Sequence, residues 1–240
     1  MQPDNNPHID HQFIDAILEK PIPFTLNGRF FYLYQPSLGV SLLSTQLLHE
    51  LHLNHQLSAN NQPHEVLQLC SEQRDLILRI VALHTFSRRA DAMREERIQT
   101  RMQELQPLDA AELATLIITI LQWDNRLHLF TKHLHLDKEQ RTREKIATLK
   151  KKKGNNLIFG GKSLYGTLLD TVCQRYHWDY GYALWGVTLI NINLLLADSV
   201  QTLFITSEEA KQAHISTDGV YIDARDPNNL QEIQRLIRGL

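Results

Sequence analysis

The chain has 240 residues, 42% hydrophobic and 22% charged, and this balance excludes a collagen-like or wholly disordered protein. Its 25 basic and 27 acidic side chains give a formal net charge of -2, which excludes a surface built throughout for nucleic-acid phosphates. The two cysteines, Cys70 and Cys173, are too few for a disulfide framework and fit a reducing compartment.

The N-terminal part of the chain predicts a short helix followed by a β-hairpin. Apolar residues recur at helical spacing from Ile9 to Leu18 and stop before Pro21, which predicts a short lid or docking helix. Two β-prone runs then flank Asn27-Gly28, a pair that adopts the positive φ angles of a type I′ turn. Because an isolated hairpin is marginal in water, its aromatic face must pack on helices or on another copy. The candidate residues for self-association are Phe24, Phe30, Tyr32 and Tyr34.

Two leucine-rich helices are predicted after the hairpin. Ser37 is a suitable N-cap for the first, whose apolar stripe extends to Leu51. The second begins at Pro63 and keeps its apolar spacing to Leu83. Both stripes are wide enough to face a core.

A further core helix is predicted after a charged, exposed stretch from Arg88 to Arg97. Asp109 and Glu112 have the spacing of a capping box and precede an apolar stripe. Trp123 is expected to end this helix.

The segment from Asp137 to Asn156 is charged and ends in a lysine run followed by Gly-Asn-Asn, so it predicts a linker. The resulting division is a hairpin-plus-helical domain over 1–136, a linker over 137–156 and a helical region over 157–240. A basic run is able to hold phosphate backbones, but no aromatic residue is interleaved to stack on bases. We therefore favour a solvated linker and do not expect nucleic acid as a partner. The candidate basic residues are Lys150, Lys151, Lys152 and Lys153.

The region after the linker predicts a helix capped by Ser163 and a longer helix from Tyr180 to Asp198. The second is apolar almost all round, which indicates burial within a domain or an oligomer. It is too short and too often interrupted by polar residues to span a membrane, so no membrane association is expected. The predicted fold class is mainly α: a helical protein with a small N-terminal β-hairpin and a second helical region after a basic linker.

The motifs that carry chemistry in other proteins are incomplete here, so the sequence predicts no catalytic residue, no cofactor and no metal site. Gly161-Lys162-Ser163 lacks the earlier glycine of a phosphate loop, because Asn156 occupies that position; a turn into a helix is favoured. Histidines repeated at three-residue steps diverge around a helix, which favours solvated or capping roles over metal binding. The three-residue steps are those of His49, His52 and His55; His128, His133 and His135 lie close together in sequence, and solvated or capping roles are favoured for them as well. Cys173 and His177 lie four residues apart, but no orienting acid or oxyanion donor is identifiable, which favours a core cysteine.

Aromatic residues are dense between Tyr176 and Trp185, and such residues serve either as core or as anchors for a partner. Short motifs also follow one another over most of the chain: Pro23 to Tyr34, Pro36 to Gly39, Phe159 to Gly166, Leu168-Leu169-Asp170, Trp178 to Tyr180, Leu184 to Gly186, Asn193 to Asp198, and Asp226 to Asn229. In this order they resemble the tail-assembly-chaperone-like proteins of tailed bacteriophages and prophages. The resemblance implies a non-enzymatic protein that binds the long helical tape-measure protein in the bacterial host cytoplasm.

Such a chaperone needs an apolar surface to cover the apolar helical faces of its partner. The candidate partner-binding residues are Trp178, Tyr180, Tyr182, Trp185, Leu189 and Leu196. The alternatives are a structural tail or connector subunit, which would stay in purified virions, and a helical nucleic-acid-binding protein that uses the lysine run. An enzyme is a further alternative, and it requires a deep pocket with convergent polar groups.

Overall fold

A computed structural model of the protein describes residues 7–51, 63–151, 161–199, 203 and 205–213. The structure is mainly α-helical with a two-stranded antiparallel hairpin near the N-terminus, which confirms the predicted fold class. Two compact units are present: residues 1–136 with 159–199 form the first, and residues 137–158 with 200–240 form the second. The division of the chain into a domain over 1–136, a linker over 137–156 and a helical region over 157–240 stays a prediction.

The elements of the first unit before the charged segment are α1 (Pro7–Ile17), β1 (Ile22–Leu26), β2 (Arg29–Leu33), α2 (Leu38–Glu50), α3 (Pro63–Glu72), α4 (Arg74–His84), α5 (Arg89–Ala92), α6 (Glu95–Leu105) and α7 (Ala110–His133). The second unit contains α8 (Leu136–Lys151) and, later in the chain, α12 (Ser207–Ala213). Between these two in sequence, the first unit adds α9 (Leu164–Tyr176), α10 (Tyr180–Trp185) and α11 (Leu189–Ala197).

The hairpin forms around the predicted turn. Asn27 and Gly28 have φ angles of 50° and 75°, and they connect strands whose register pairs Leu26 with Arg29. Strand alternation turns Phe31 and Leu33 inward, where both are buried. Beyond the strand, the Tyr34 backbone N–H donates a 2.7 Å hydrogen bond to the His84 carbonyl, which fastens the hairpin to the end of α4.

The main core lies where α3, α4 and α7 pack together against the inner face of the hairpin. Trp123 and Phe130 are its largest fully buried side chains. Cys70 is also completely buried there, and desolvation raises the pKa of its thiol to about 11 although Arg74 lies nearby. The thiol is therefore protonated at neutral pH.

The prediction that Trp123 ends its helix is wrong, because α7 continues to His133. Leu127 and Phe130 extend the apolar spacing from Trp123 by one and two turns, and Phe130 is fully buried. The predicted start is confirmed: the Asp109 carboxylate accepts from the Glu112 N–H at 2.8 Å, and the Glu112 carboxylate accepts from the Asp109 N–H at 2.9 Å.

The single helix predicted from Pro63 to Leu83 is interrupted at Gln73, which separates α3 from α4. Immediately after the break, the Arg74 guanidinium donates to the carbonyl oxygens of Gln106 and Leu108 at 2.7 and 2.5 Å. These bonds fix the start of α4 against the connection between α6 and α7.

The single helix predicted from Tyr180 to Asp198 is also wrong, since α10 ends at Trp185 and α11 begins at Leu189. Gly186 permits the break, because a Cβ at that position would lie 2.3 Å from the Tyr182 ring. The extended backbone that follows pairs with the chain before α2: Thr188 bridges Ser37, and the Leu189 N–H donates to the Pro36 carbonyl at 2.9 Å. Contacts with a remote segment thus offset the lost helical hydrogen bonds.

In the second unit, most of the segment predicted as a linker is helical. Side-chain pairs one turn apart support α8: Arg143 with Glu139 at 3.3 Å, and Gln140 with Glu144 at 3.1 Å. The backbones of Lys150 and Lys151 belong to this helix, whereas Lys152, Lys153 and the motif from Asp226 to Asn229 lie outside the described residues. Among the helices described, none combines the length and the apolar character that crossing a membrane requires.

Candidate functional site: an apolar groove between α1 and α11

Helix α1 packs on the first unit through one face and leaves apolar residues on the other. The rings of Phe13 and Phe130 pack edge to face, with their centroids 5.4 Å apart. Oδ1 of Asp10 lies 2.8 Å from Nε2 of His133. Ile14, Ile17 and Leu18 are exposed. The apolar residues of the predicted docking helix therefore form two surfaces: one packs on the core, and the other is exposed to solvent.

The turn after α1 fastens that helix to α11. Glu19 has a φ angle of 51°, and Oε1 of its carboxylate accepts hydrogen bonds from the Thr188 N–H at 3.0 Å and from Nδ2 of Asn191 at 2.9 Å. Nδ2 of Asn191 also lies 3.3 Å from the Ile17 carbonyl oxygen. Asn191 is one of the polar residues that interrupt the apolar run from Tyr180 to Asp198, and these hydrogen bonds explain its presence.

A chain of aromatic rings forms the opposite wall. His177 follows the last residue of α9 in the left-handed conformation, with a φ angle of 54°. The centroid of the next ring, Trp178, lies 4.9 Å from that of Tyr176 and 5.2 Å from that of Tyr182. The Tyr176 hydroxyl donates to the Leu195 carbonyl at 2.9 Å, which joins the aromatic chain to α11. The rings are therefore held in place by both packing and hydrogen bonding.

These walls enclose an open groove of about 430 Å³, the α1–α11 groove. Its volume lies within the range typical of ligand pockets, about 300–1,000 Å³. Its apolar lining comprises Phe13, Ile17, Leu134, Val187, Leu194 and Leu195, together with the rings of Trp178 and Tyr182. Its charged lining residues are both acidic, Glu19 and Asp198. Within the part of the chain that the structure describes, neither carboxylate forms an ion pair.

The predicted partner-binding residues divide between the groove and other places. Trp178 and Tyr182 line the groove, whereas Tyr180 is exposed beside it. Leu189 and Leu196 pack against a second buried cluster around Leu38, Val172 and Ile192. Trp185 packs against Gly39 and lines a different cavity. Whether any of them binds a partner stays a prediction.

The partner-binding residues predicted from the sequence do not include Phe13 and Ile17 of α1, which was predicted only as a lid or docking helix, or Leu195 on the outer face of α11. The apolar spacing of α1 was visible in the sequence. Its position beside Trp178 in the groove was not, because the turn after α1 is joined to Thr188 by a hydrogen bond that spans 169 positions of sequence.

The predicted self-association residues lie on both faces of the hairpin. Phe30 and Tyr32 are exposed on the outer face, with 74% of Phe30 accessible. Phe24 faces inward, because its ring stacks on that of the buried Phe31 with the centroids 5.5 Å apart. Tyr34 follows β2 and is half-buried. Self-association through this set stays a prediction.

Two of the other sequence patterns have structural roles: the segment from Gly161 to Ser163 turns into a helix, and Cys173 packs in the interior. Gly161 has a φ angle of 69°, and the Ser163 hydroxyl accepts from the Gly166 N–H at 3.2 Å, as a turn into a helix requires. Cys173 packs against the second buried cluster. Over the described residues, no group of three or more His, Cys, Asp and Glu side chains is arranged to hold a metal ion. His52 and His55 lie outside those residues.

No protein-family model, no curated protein and no solved structure matches the chain.

Proposed function

We propose that this protein is a non-enzymatic tail assembly chaperone of a tailed bacteriophage or prophage, and that it binds an amphipathic helix of the tape-measure protein in the host cytoplasm. The order of sequence motifs supports the family, and the α1–α11 groove is the observation that supports the binding. Its lining is apolar and aromatic, and it adjoins exposed apolar side chains of α1. Contiguous apolar surface of this kind is typical of interaction sites.

The dimensions of the groove suit the apolar face of one helix. A volume of about 430 Å³ accommodates a few apolar side chains rather than a whole helix. Side chains three and four residues apart project from the same helix face, so they enter such a groove together. The backbone of the bound helix would then lie along the rim formed by α1 and α11.

Charge specifies the partner further. Glu19 and Asp198 line the groove without an opposing cation among the described residues. A helix with lysine or arginine beside its apolar stripe would complement them, and would associate faster at low salt. We therefore expect the bound tape-measure segment to be both amphipathic and basic.

Co-expression with the tape-measure protein of the same gene cluster tests the proposal. Leu195→Asp places a charge in the groove and should reduce the soluble tape-measure fraction and its co-purification at least about tenfold. Leu129→Asp is the matched control, because Leu129 is also a helical leucine but lies outside the groove. Leu129 is 45% exposed and Leu195 is 41% exposed. Circular dichroism establishes that both variants are folded.

Three results would contradict the proposal. Unchanged tape-measure solubility with the wild-type protein would remove the chaperone role, and equal effects of the two leucine variants would remove the groove. Retention of the protein in purified virions would instead indicate a structural tail or connector subunit.

A further inference from the structure

A second cavity, of about 240 Å³, lies in the first unit where the chain after the hairpin meets the break between α10 and α11. We name it the Trp185 cavity. Its walls are fixed by the bridge between Ser37 and Thr188 and by the hydrogen bond from the Leu189 N–H to the Pro36 carbonyl. The proposed function does not use this cavity.

Deeply buried polar side chains line the Trp185 cavity. Gln35 is only 7% exposed, and its Oε1 has no hydrogen-bond partner among the described residues. The indole Nε1 of Trp185 is likewise buried without a partner. A buried polar atom that makes no hydrogen bond destabilises the folded protein, because it has lost its hydrogen bonds to water. Both residues line the Trp185 cavity, so a molecule bound there is a source of the missing hydrogen-bond partners.

His84 adds an acceptor to the same lining. Its ring is 2% exposed, and burial lowers its pKa to about 4, so the imidazole is neutral at physiological pH. Nδ1 lies 2.9 Å from the Ile80 carbonyl oxygen and must donate to it. In the neutral ring, Nε2 is then an acceptor.

Charges of both signs line the cavity without neutralising each other. Arg88 and Arg89 are on one part of the lining, and the Arg89 guanidinium stacks over the Trp185 ring at 5.7 Å. No carboxylate of the described residues pairs with either arginine. Glu19 is also in the lining; its Oε1 accepts two hydrogen bonds, whereas Oε2 accepts none from the described residues.

We propose that the Trp185 cavity binds a small zwitterion whose anionic group, a carboxylate or phosphate, contacts Arg88 and Arg89 and whose amine donates to Glu19 and Gln35. Guanidinium groups bind oxyanions through charge-assisted hydrogen bonds, and an ammonium group offers the donors that Oε2 of Glu19 and Oε1 of Gln35 lack. The volume limits the ligand to the size of an amino acid or of phosphoethanolamine.

Isothermal titration of the full-length protein with four probes tests this proposal. Phosphoethanolamine and β-alanine carry both charges, inorganic phosphate carries only the anion and ethanolamine only the amine. We expect one of the zwitterions to bind at least about tenfold more tightly than either single-charge probe. The tighter zwitterion identifies the anionic group as phosphate or carboxylate.

Charge-removing variants locate the binding. Arg88→Gln combined with Arg89→Gln should weaken the binding of the tighter zwitterion at least about tenfold, because both oxyanion contacts are lost. Arg94→Gln is the control, since Arg94 is exposed and does not line the cavity. Absence of binding by both zwitterions, equal binding of a zwitterion and a single-charge probe, or equal effects of the two sets of variants would each overturn the proposal. None of these measurements uses the tape-measure protein, so their failure is distinguishable from failure of the proposed function.

Discussion

Glu19 and Thr188 are joined by a 3.0 Å hydrogen bond from the Thr188 backbone N–H to Oε1 of the Glu19 carboxylate, across 169 positions of sequence. The bond connects the turn after α1 to the break between α10 and α11. Glu19, Gly186 and Val187 line both the α1–α11 groove and the Trp185 cavity. One short hydrogen-bonded wall therefore separates the two sites.

Replacing Glu19 tests how far this wall depends on its carboxylate. Glu19→Ala removes the acceptor for Thr188 and Asn191 and should lower the free energy of unfolding by about 1–2 kcal/mol, since two part-buried donors lose a partner. Glu19→Gln keeps an oxygen acceptor of the same shape and should cost less than half as much. Urea unfolding measures both values. Equal costs would show that the charge, and not the acceptor, stabilises the wall.

Gly39 is expected to tolerate no side chain. A Cβ at this position would lie 2.6 Å from the Trp185 ring, so Gly39→Ala should destabilise the protein by about 1–3 kcal/mol through overpacking. Gly166→Ala is the control, because its Cβ would meet only the Ser163 side chain, at 3.3 Å. Thermal unfolding should show a lower Tm for the first variant and little change for the second. A Tm for Gly39→Ala equal to that of the wild type would contradict the packing of Trp185 on α2.

Stability should decline with acidification because of His84. Its folded-state pKa of about 4 lies below the ordinary 6.5, so between these values the unfolded chain binds the additional proton. The free energy of unfolding should therefore fall by up to about 1.4 kcal/mol for each pH unit from pH 6.5 towards pH 4.

The variant His84→Gln isolates this effect, since it cannot titrate. Its unfolding free energy, whatever its absolute value, should vary less steeply between pH 6.5 and 4 than that of the wild type. Glu95 acts in a lower pH range, because hydrogen bonds from Arg79 lower the pKa of its carboxyl group to about 2. Its contribution to the free energy of unfolding is lost as pH falls from 4.5 towards 2. Identical pH profiles above pH 4 would contradict the assignment to His84.

The capping box of α7 provides a prediction about local stability. Asp109→Ala removes the acceptor for the Glu112 N–H and should cost about 1 kcal/mol. Thr115→Ala, in the same helix, removes only a hydroxyl that bonds the Ala111 carbonyl at 2.9 Å and should leave stability unchanged or slightly raised. Equal losses for the two variants, measured by urea unfolding, would contradict the capping role.

The features that the sequence predicted correctly depend on local chemistry. Asn27-Gly28 specifies its turn through the φ angles that these residues accept, and Ser37, Asp109 and Ser163 cap the helices that follow them. Each signal extends over four residues or fewer. Reading them required no knowledge of the rest of the fold.

The features that were missed depend on contacts remote in sequence. The break after Trp185 is stabilised by Pro36, Ser37 and Glu19, so the apolar run from Tyr180 to Asp198 alone indicated an unbroken helix. The groove likewise requires Phe13 and Trp178, which are remote in sequence, to line the same cavity. Aromatic density identified Trp178 and Tyr182, but periodicity could not distinguish them from Leu189 and Leu196, which pack inside.

The burial of Cys70 makes the protein convenient for covalent labelling. Its thiol is inaccessible and protonated at neutral pH, so a maleimide reagent has one other cysteine in the chain to attack, the half-buried Cys173. That residue lies one turn before Tyr176 on α9. A fluorophore attached there would report on the aromatic wall of the groove without any engineered cysteine.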